Sequence, residues 1–463
     1  LSEAKLFESE HSVKSSDHSS IVSPNTSVKP VSAGVNERDH LTIGGVDTVD
    51  LADKYGTPLY IIDEATIRAS VAACKAGLEE YPQAQITFAG KAFLCLAMCH
   101  LIKHLGVGLD VVSEGELHTA IKANFPSERL VLHGNNKSPG EIEMALSYGD
   151  VNIVIDNRSE LEMVAAIARK LGRQAKIMLR LIPGVEPGTH KHNRTGHDES
   201  KFGIPVQEVS AFIDYIEKYH LELKLRGLHL HLGSVVASME PYNEAIRVVT
   251  DLMKTLKAER NIDIAELDLG GGLAIAYLEN EEVVPMYEWG QKLALATMAA
   301  LGNRGLLAPK LILEPGRSIV GTSGVTIYRV GHTKELPNGL KYIAVDGGMA
   351  DNPRPITYQA KYTTAIANRM NAERPSKPIT LAGKYCEQGD IIVEEAYIGA
   401  KTGDLVAVFG TGAYNYSQSS NYNRTGRPAC VLVANGEAEV IVERESNEDL
   451  LRNDRVPARL LKG

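Results

Sequence analysis

Lys91 closes the β-type run 85–89, within Thr87-Phe88-Ala89-Gly90-Lys91-Ala92. A lysine amine at such a place could form a Schiff base with a carbonyl group. Alone it reads as a solvated surface charge, since lysine is mostly exposed. Its weight comes from what stands at the ends of the other strand-like runs. In order these are Ser113, Asn135 with Asn136, Asp156, Arg180, His231, Gly270-Gly271-Gly272 and Glu314. Random strand ends would show loop residues of mixed type, and this set is unusually polar.

Three of these carry the logic of a bound ligand. A triple glycine lets backbone N–H groups approach an anion, because no Cβ intervenes; it is also what a tight turn needs. Residues 270–275 do not fit the dinucleotide pattern GxGxxG. His229 and His231 alternate on one strand and so share a face. A metal pair would need a third ligand at suitable spacing, which the sequence does not offer. A histidine covering a flat ring fits better, and no metal is expected. Glu314 opens Glu314-Pro315-Gly316-Arg317, a carboxylate followed by a turn. A lysine, a carboxylate, a histidine and a glycine turn around a flat aromatic phosphate describe pyridoxal 5′-phosphate.

These residues need a frame. From about residue 61 to 316, short β-rich runs alternate with longer amphipathic segments such as 64–80, 158–172, 241–260 and 287–301. The runs are 85–89, 108–112, 129–133, 151–155, 176–181, 226–231, 265–269 and 309–313. Eight βα units over roughly 250 residues predict a TIM (β/α)8 barrel rather than an open doubly wound sheet. In such barrels the chemistry gathers at the C-terminal ends of the strands, with phosphate often bound after strands seven and eight.

After residue 316 the helical periodicity mostly stops. Runs 323–330, 341–346, 377–382, 391–398, 404–409 and 428–442 predict a β-sandwich or Greek-key β-domain over 317–463. One helix is expected within 360–372. Three loops, 346–358, 384–390 and 410–416, set Arg354, Cys386, Glu387 and Tyr414 among glycines and asparagines. Loops of that kind position functional groups.

The 463 residues exceed one small domain. A net charge of −9 argues against a nucleic-acid-binding face. The apolar stretches are too short to span a bilayer. Five cysteines form no even framework, and Cys95 and Cys99 read as two apolar helix residues, so a reduced, cytoplasmic setting is expected. Residues 1–36, rich in Ser, His, Lys and Asn, read as a disordered tail without the apolar core of a signal peptide. Residues 37–60 are expected to join the β-domain.

Over about residues 40–455 the chain resembles the fold-type III pyridoxal-phosphate decarboxylases, and among them the diaminopimelate decarboxylases. The resemblance is carried by Phe88-Ala-Gly-Lys91-Ala, His133-Gly-Asn-Asn-Lys-Ser138, Ser200-Lys-Phe-Gly203, His229-Leu-His231-Leu-Gly-Ser234, Gly270-Gly-Gly272 and Glu314-Pro-Gly-Arg317. It continues in Arg354 to Tyr358, Cys386-Glu387-x-Gly-Asp390 and Gly412-Ala-Tyr414. Together these are highly specific.

The resemblance implies roles. Lys91 would hold the cofactor and His231 would stack on its ring. Ser234, Gly271, Gly272, Gly316 and Arg317 would take the phosphate side, and Glu314 would pair with the pyridine nitrogen. Arg317, Arg354 and Tyr358 would bind substrate carboxylate. Cys386, Glu387 and Tyr414 would complete the pocket, with Cys386 and Glu387 reaching in from the second subunit of a homodimer. Cys386 would protonate Cα. The implied reaction is meso-2,6-diaminopimelate to L-lysine and CO2, the last step of lysine biosynthesis. Alanine racemases on a similar barrel set an arginine against the ring nitrogen; a glutamate there argues for decarboxylation.

Departures from the family pattern are Phe88 for tyrosine, Phe93 for asparagine, Ala274 for glycine and Gln388 for serine. The serine position lies beside recognition of the substrate's far end. A relative acting on ornithine, arginine, lysine or carboxynorspermidine is the alternative, although ornithine-type enzymes carry Asp where Glu387 stands. A catalytically dead regulator is a third reading, and the presence of Lys91 and Cys386 argues against it.

Overall fold

The computed structural model describes residues 21–185, 200–236 and 238–461. Eight strands run in parallel around a ring: Ala84–Ala89, Gly108–Val111, Leu130–Leu132, Asn152–Ile155, Ala175–Ile182, Leu223–His229, Glu266–Asp268 and Lys310–Leu313. The ring closes where Leu313 pairs with Ile86, which sets the last strand beside the first. This is the expected TIM barrel. The largest displacement is in the sixth strand, expected at 226–231 and found at Leu223–His229. Inside the barrel Val131, Val154, Met178 and Ile312 pack as one apolar layer below the mouth.

Local sequence explains the outer helices. Asp63 caps Glu64–Gly77, Ser138 and Glu141 form a capping box at Pro139–Tyr148, and left-handed Gly172 ends Arg158–Leu171. Gly77 is needed for packing rather than for flexibility. A Cβ there would lie 2.3 Å from the Tyr287 carbonyl oxygen of the neighbouring helix Met286–Gly302.

The β-domain is a mixed sheet built around the long strand Gly324–Glu335. Leu59–Asp63, ahead of the barrel in sequence, lies antiparallel to Gly324–Glu335 and parallel to Ala429–Ala434. Alternation on Gly324–Glu335 sends Val325 and Ile327 into one apolar cluster and Tyr328 and Val330 into another. The helix expected within 360–372 is absent. Thr364–Ile366 is a strand paired with Leu405–Phe409, and a short helix lies earlier, at Arg354–Tyr358. Sheet pairing of the run Thr363-Thr364-Ala365-Ile366 wins over its weak helical pattern.

The expected disordered tail also needs correction. Residues 1–20 lie outside the described residues, but within 21–36 Asn25 is buried against the barrel, Val31 N donates to Thr66 Oγ1, and Gly34 and Val35 pair with Thr42 and Leu41. Asn25 is fully buried; its Nδ2 donates to the Ala274 and Val284 carbonyls and its Oδ1 accepts from Met286 N. One asparagine thus satisfies three backbone groups of the segment after the triple glycine, a gain that a polar composition does not advertise. Among the described residues no helix is long and apolar enough to cross a membrane.

Candidate active site

A cavity of about 280 Å³ opens at the C-terminal mouth of the barrel. Lys91, His231, Ser234, Glu314, Arg317, Arg354, Tyr358 and Tyr414 all line it. Gly272 and Gly316 line a smaller recess beside it, together with Lys91 and Arg317. Cys386 and Glu387 line neither; both are exposed, and Cys386 N donates to Asn423 Oδ1 at 3.0 Å. Gln388 is exposed beside them.

Lys91 sits in the single turn Gly90–Ala92 that ends the first strand. The β-domain secures that turn: Tyr414 N and Ser417 Oγ both donate to the Ala92 carbonyl. Tyr414 holds a left-handed φ of 60°, a strained conformation for a bulky residue, and its ring lies 4.7 Å from the Arg317 guanidinium.

Glu314 is the electrostatic centre. His133 Nε2 lies 2.8 Å from Oε1 and His229 Nε2 lies 3.2 Å from Oε2. Asp110 and Asp268 stand close by, and three adjacent carboxyls cannot all ionise. Burial, then the Glu314 charge, hold Asp268 well above the usual carboxylate range. Burial likewise pushes Asp110 up to about 6. Glu314 goes the other way. Burial opposes its charge, but the two histidines outweigh burial and hold it well below the usual range. Glu314 is therefore the most firmly ionised of the three at neutral pH, beside a neutral Asp268.

His229 is driven down to about 4, chiefly by burial. Unfolded histidine takes a proton below about 6.5, whereas folded His229 resists until about 4. Its contribution to stability is therefore complete above about 6.5 and is lost as pH falls towards 4, by up to about 3 kcal/mol. The expected result is a thermal midpoint that drops over this window more steeply in the wild type than in His229→Gln. Parallel curves would refute it.

His231 is neutral as well, held well below its ordinary range by burial and then by Lys91. Gly271 N donates to its Nδ1 at 3.2 Å, so the ring proton is on Nε2. Gly270 N is taken by Asp268 Oδ1 at 2.8 Å. The triple glycine thus offers an anion fewer free donors than its sequence suggests. Its glycines are needed sterically: a Cβ on Gly271 would lie 2.2 Å from the Glu314 carbonyl oxygen, and one on Gly272 2.4 Å from that of Gly233.

Both arginines are buried, and their hydrogen bonds go to hydroxyl groups. Arg317 Nε is buried and has no hydrogen-bond partner among the described residues. Two such guanidinium groups call for an anionic ligand.

Sequence reasoning assigned no role to Asp110, His133, Asp268, Arg180 or Phe202. A signal existed for three of them: a charge inside an otherwise apolar strand, as in Leu109-Asp110-Val111, Leu267-Asp268-Leu269 and Leu179-Arg180-Leu181. Arg180 stacks 4.4 Å from the Phe202 ring, and Asp156 accepts from Gly203 N at 2.9 Å, which anchors Ser200–Gly203 at the cavity rim.

Comparison with known proteins decides what this cavity holds. The pyridoxal binding domain of the pyridoxal-dependent decarboxylases matches residues 65–321. The diaminopimelate decarboxylase of Synechocystis sp. is 43% identical over 450 residues, covering 95% of each chain. The chain belongs to the diaminopimelate decarboxylase family. The Bacillus subtilis member is 42% identical over 90% of this chain and 96% of its own. The crystal structure of the M. jannaschii diaminopimelate decarboxylase in complex with L-lysine superposes with a TM-score of 0.84 at 33% identity, covering 93% of this chain and 99% of that one.

The cofactor of this family is pyridoxal phosphate, and the residues present fit it. The unpartnered Arg317 Nε and the Gly272–Gly316 recess suit a phosphate, and ionised Glu314 suits a protonated ring nitrogen. His133, His229 and Glu314 also place one ligand atom each within 4.8 Å of one another. This is the third partner that the sequence did not offer to His229. Their atoms are engaged in mutual hydrogen bonds within the pyridoxal cavity of a decarboxylase family, which favours the cofactor reading over a metal.

Proposed function

We propose that this chain decarboxylates meso-2,6-diaminopimelate to L-lysine and CO2 with pyridoxal phosphate bound at Lys91. The observation that carries this is the meeting, in one cavity, of a lysine, the ionised Glu314 and two buried arginines that have no carboxylate hydrogen-bond partner among the described residues. The bound cofactor supplies an electron sink for the pair left by departing CO2. Glu314 keeps the proton on the ring nitrogen, without which the sink is poor. Neutral His231 covers the ring without adding charge. Ser234, Gly271, Gly272, Gly316 and Arg317 hold the phosphate, with Tyr414 stacked on Arg317.

Arg317, Arg354 and Tyr358 hold a substrate carboxylate. It is the one that stays in the product, since tight binding of the leaving carboxylate would oppose its loss. Cys386 returns a proton to Cα and Glu387 meets the far end of the substrate. Both come from a second subunit, which accounts for their exposure and their place outside the cavity in one chain. A cytoplasmic setting fits five free cysteines.

Two measurements test this. CO2 release from meso-diaminopimelate should exceed that from L-ornithine, L-arginine and L-lysine by at least about a hundredfold in kcat/KM, since a missing charged contact costs that much; equal rates would sink the substrate. Mixing Lys91→Ala with Cys386→Ala, each inactive alone, should restore about a quarter of wild-type activity by random pairing of subunits. No restoration on mixing would refute the shared site.

A further inference from the structure

Tyr277 lies five residues beyond the triple glycine and outside the motifs that carry the family resemblance. Its phenol oxygen is 2.7 Å from Arg317 Nη1 and 2.5 Å from Arg354 Nη1. The two arginines have different origins. Arg317 follows the last barrel strand, and Arg354 opens a helix of the β-domain. The shared oxygen is where their two hydrogen-bond networks meet.

Tyr277 is itself tied to the β-domain. Its carbonyl accepts from Thr363 N at 3.1 Å and Thr363 Oγ1 at 2.8 Å. Its ring meets Tyr362 edge to face, with centroids 5.4 Å apart at 88°. Tyr362 Oη in turn accepts from Arg354 Nη1 at 3.2 Å. Gly410, at a φ of 75°, lets the backbone approach the ring: a Cβ there would come within 3.3 Å of it.

Two guanidinium groups this close repel each other, and each could swing away. An oxygen with two lone pairs can accept from both and fix their separation. Charge agrees with this: burial would raise the Tyr277 phenol, but Arg317 and Arg354 outweigh burial and bring it below its ordinary range.

We infer that Tyr277 is a positioning residue that couples Arg317 to Arg354, making one clamp for the carboxylate that the product retains. This rests on the reading that the two arginines bind that carboxylate. Tyr277 does not touch the reacting atoms; it sets the distance between groups that hold the far end of the substrate. It therefore acts on substrate affinity rather than on the chemical step.

The test uses holoenzyme and two inhibitors. L-lysine carries the retained carboxylate, and 1,5-diaminopentane has the same amines without it. The ratio of their inhibition constants does not depend on the active fraction, so partial unfolding cannot imitate the effect. In Tyr277→Phe, KM for meso-diaminopimelate and the L-lysine inhibition constant should rise about tenfold, the usual size of a lost bond to a charged group. kcat and inhibition by the diamine should stay within about twofold.

Equal weakening of both inhibitors, or no change in either, would overturn the inference. Arg354→Gln separates it from the reading beneath it. If that variant still prefers L-lysine as the wild type does, the arginine assignment fails. If it loses the preference while Tyr277→Phe keeps it, only the role of Tyr277 fails. Should Tyr277→Phe not fold, Tyr362→Phe carries the test. It removes one of the two tyrosine contacts to Arg354 and should shift the ratio about threefold; an unchanged ratio overturns the inference.

Discussion

Lys91→Ala should lower kcat by about four orders of magnitude or more, and should remove the visible absorbance of the purified protein. Among the described residues Lys91 is the only lysine that lines the cavity. Its side chain is exposed, so truncation creates no buried void. The turn that carries it is held by neighbours rather than by the lysine: Gly90 and Ala92 are buried, and the Ala92 carbonyl accepts from Tyr414 and Ser417. The variant should therefore fold like the wild type. Borohydride reduction followed by peptide mass analysis gives a readout independent of turnover. In the wild type the cofactor mass should appear on the peptide containing Lys91, and in the variant on none. An unchanged absorbance band in Lys91→Ala would refute the assignment.

Glu314→Gln should lower kcat by about 10²–10³, or about 3–4 kcal/mol of barrier, with cofactor content unchanged. Glutamine matches glutamate in shape and can still accept a hydrogen bond from one histidine, but it carries no charge. The structure gives Glu314 an environment that makes charge its defining property. Two histidines face it while burial keeps Asp268 protonated, so Asp268 cannot stand in for its charge. A loss within about threefold would mean that the ring nitrogen does not depend on this carboxylate. Glu314→Asp is the companion variant. It keeps the charge but draws it back by one methylene, and should fall between the two.

Much of this was legible in the chain itself. The eight barrel strands are short and mostly apolar, and helical patterns separate them, so local periodicity located them. Lys91, His231 and Glu314 then followed as candidates, because a barrel exposes the C-terminal ends of its strands; Arg317 came from the family resemblance. Where the sequence misled, a distant partner was responsible. The run around Thr364 is a strand because Leu405–Phe409 lies beside it. Asn25, within the stretch expected to be a tail, is buried because it meets backbone groups about 250 positions away.

The sequence by itself determined the fold class and the cofactor and marked the side chains to test, because these depend on residue type and on spacing along one chain. The tertiary structure decided which of those groups carries charge and which neighbours hold it in place. Asp110, Asp268 and Glu314 are each acids in the sequence, but only their convergence with His133 and His229 leaves Glu314 ionised and Asp268 neutral. Arg317, Arg354 and Tyr277 are far apart in the chain and meet only where the barrel abuts the β-domain. Charge state and geometry depend on burial and on distances between groups remote in sequence, and folding alone sets those.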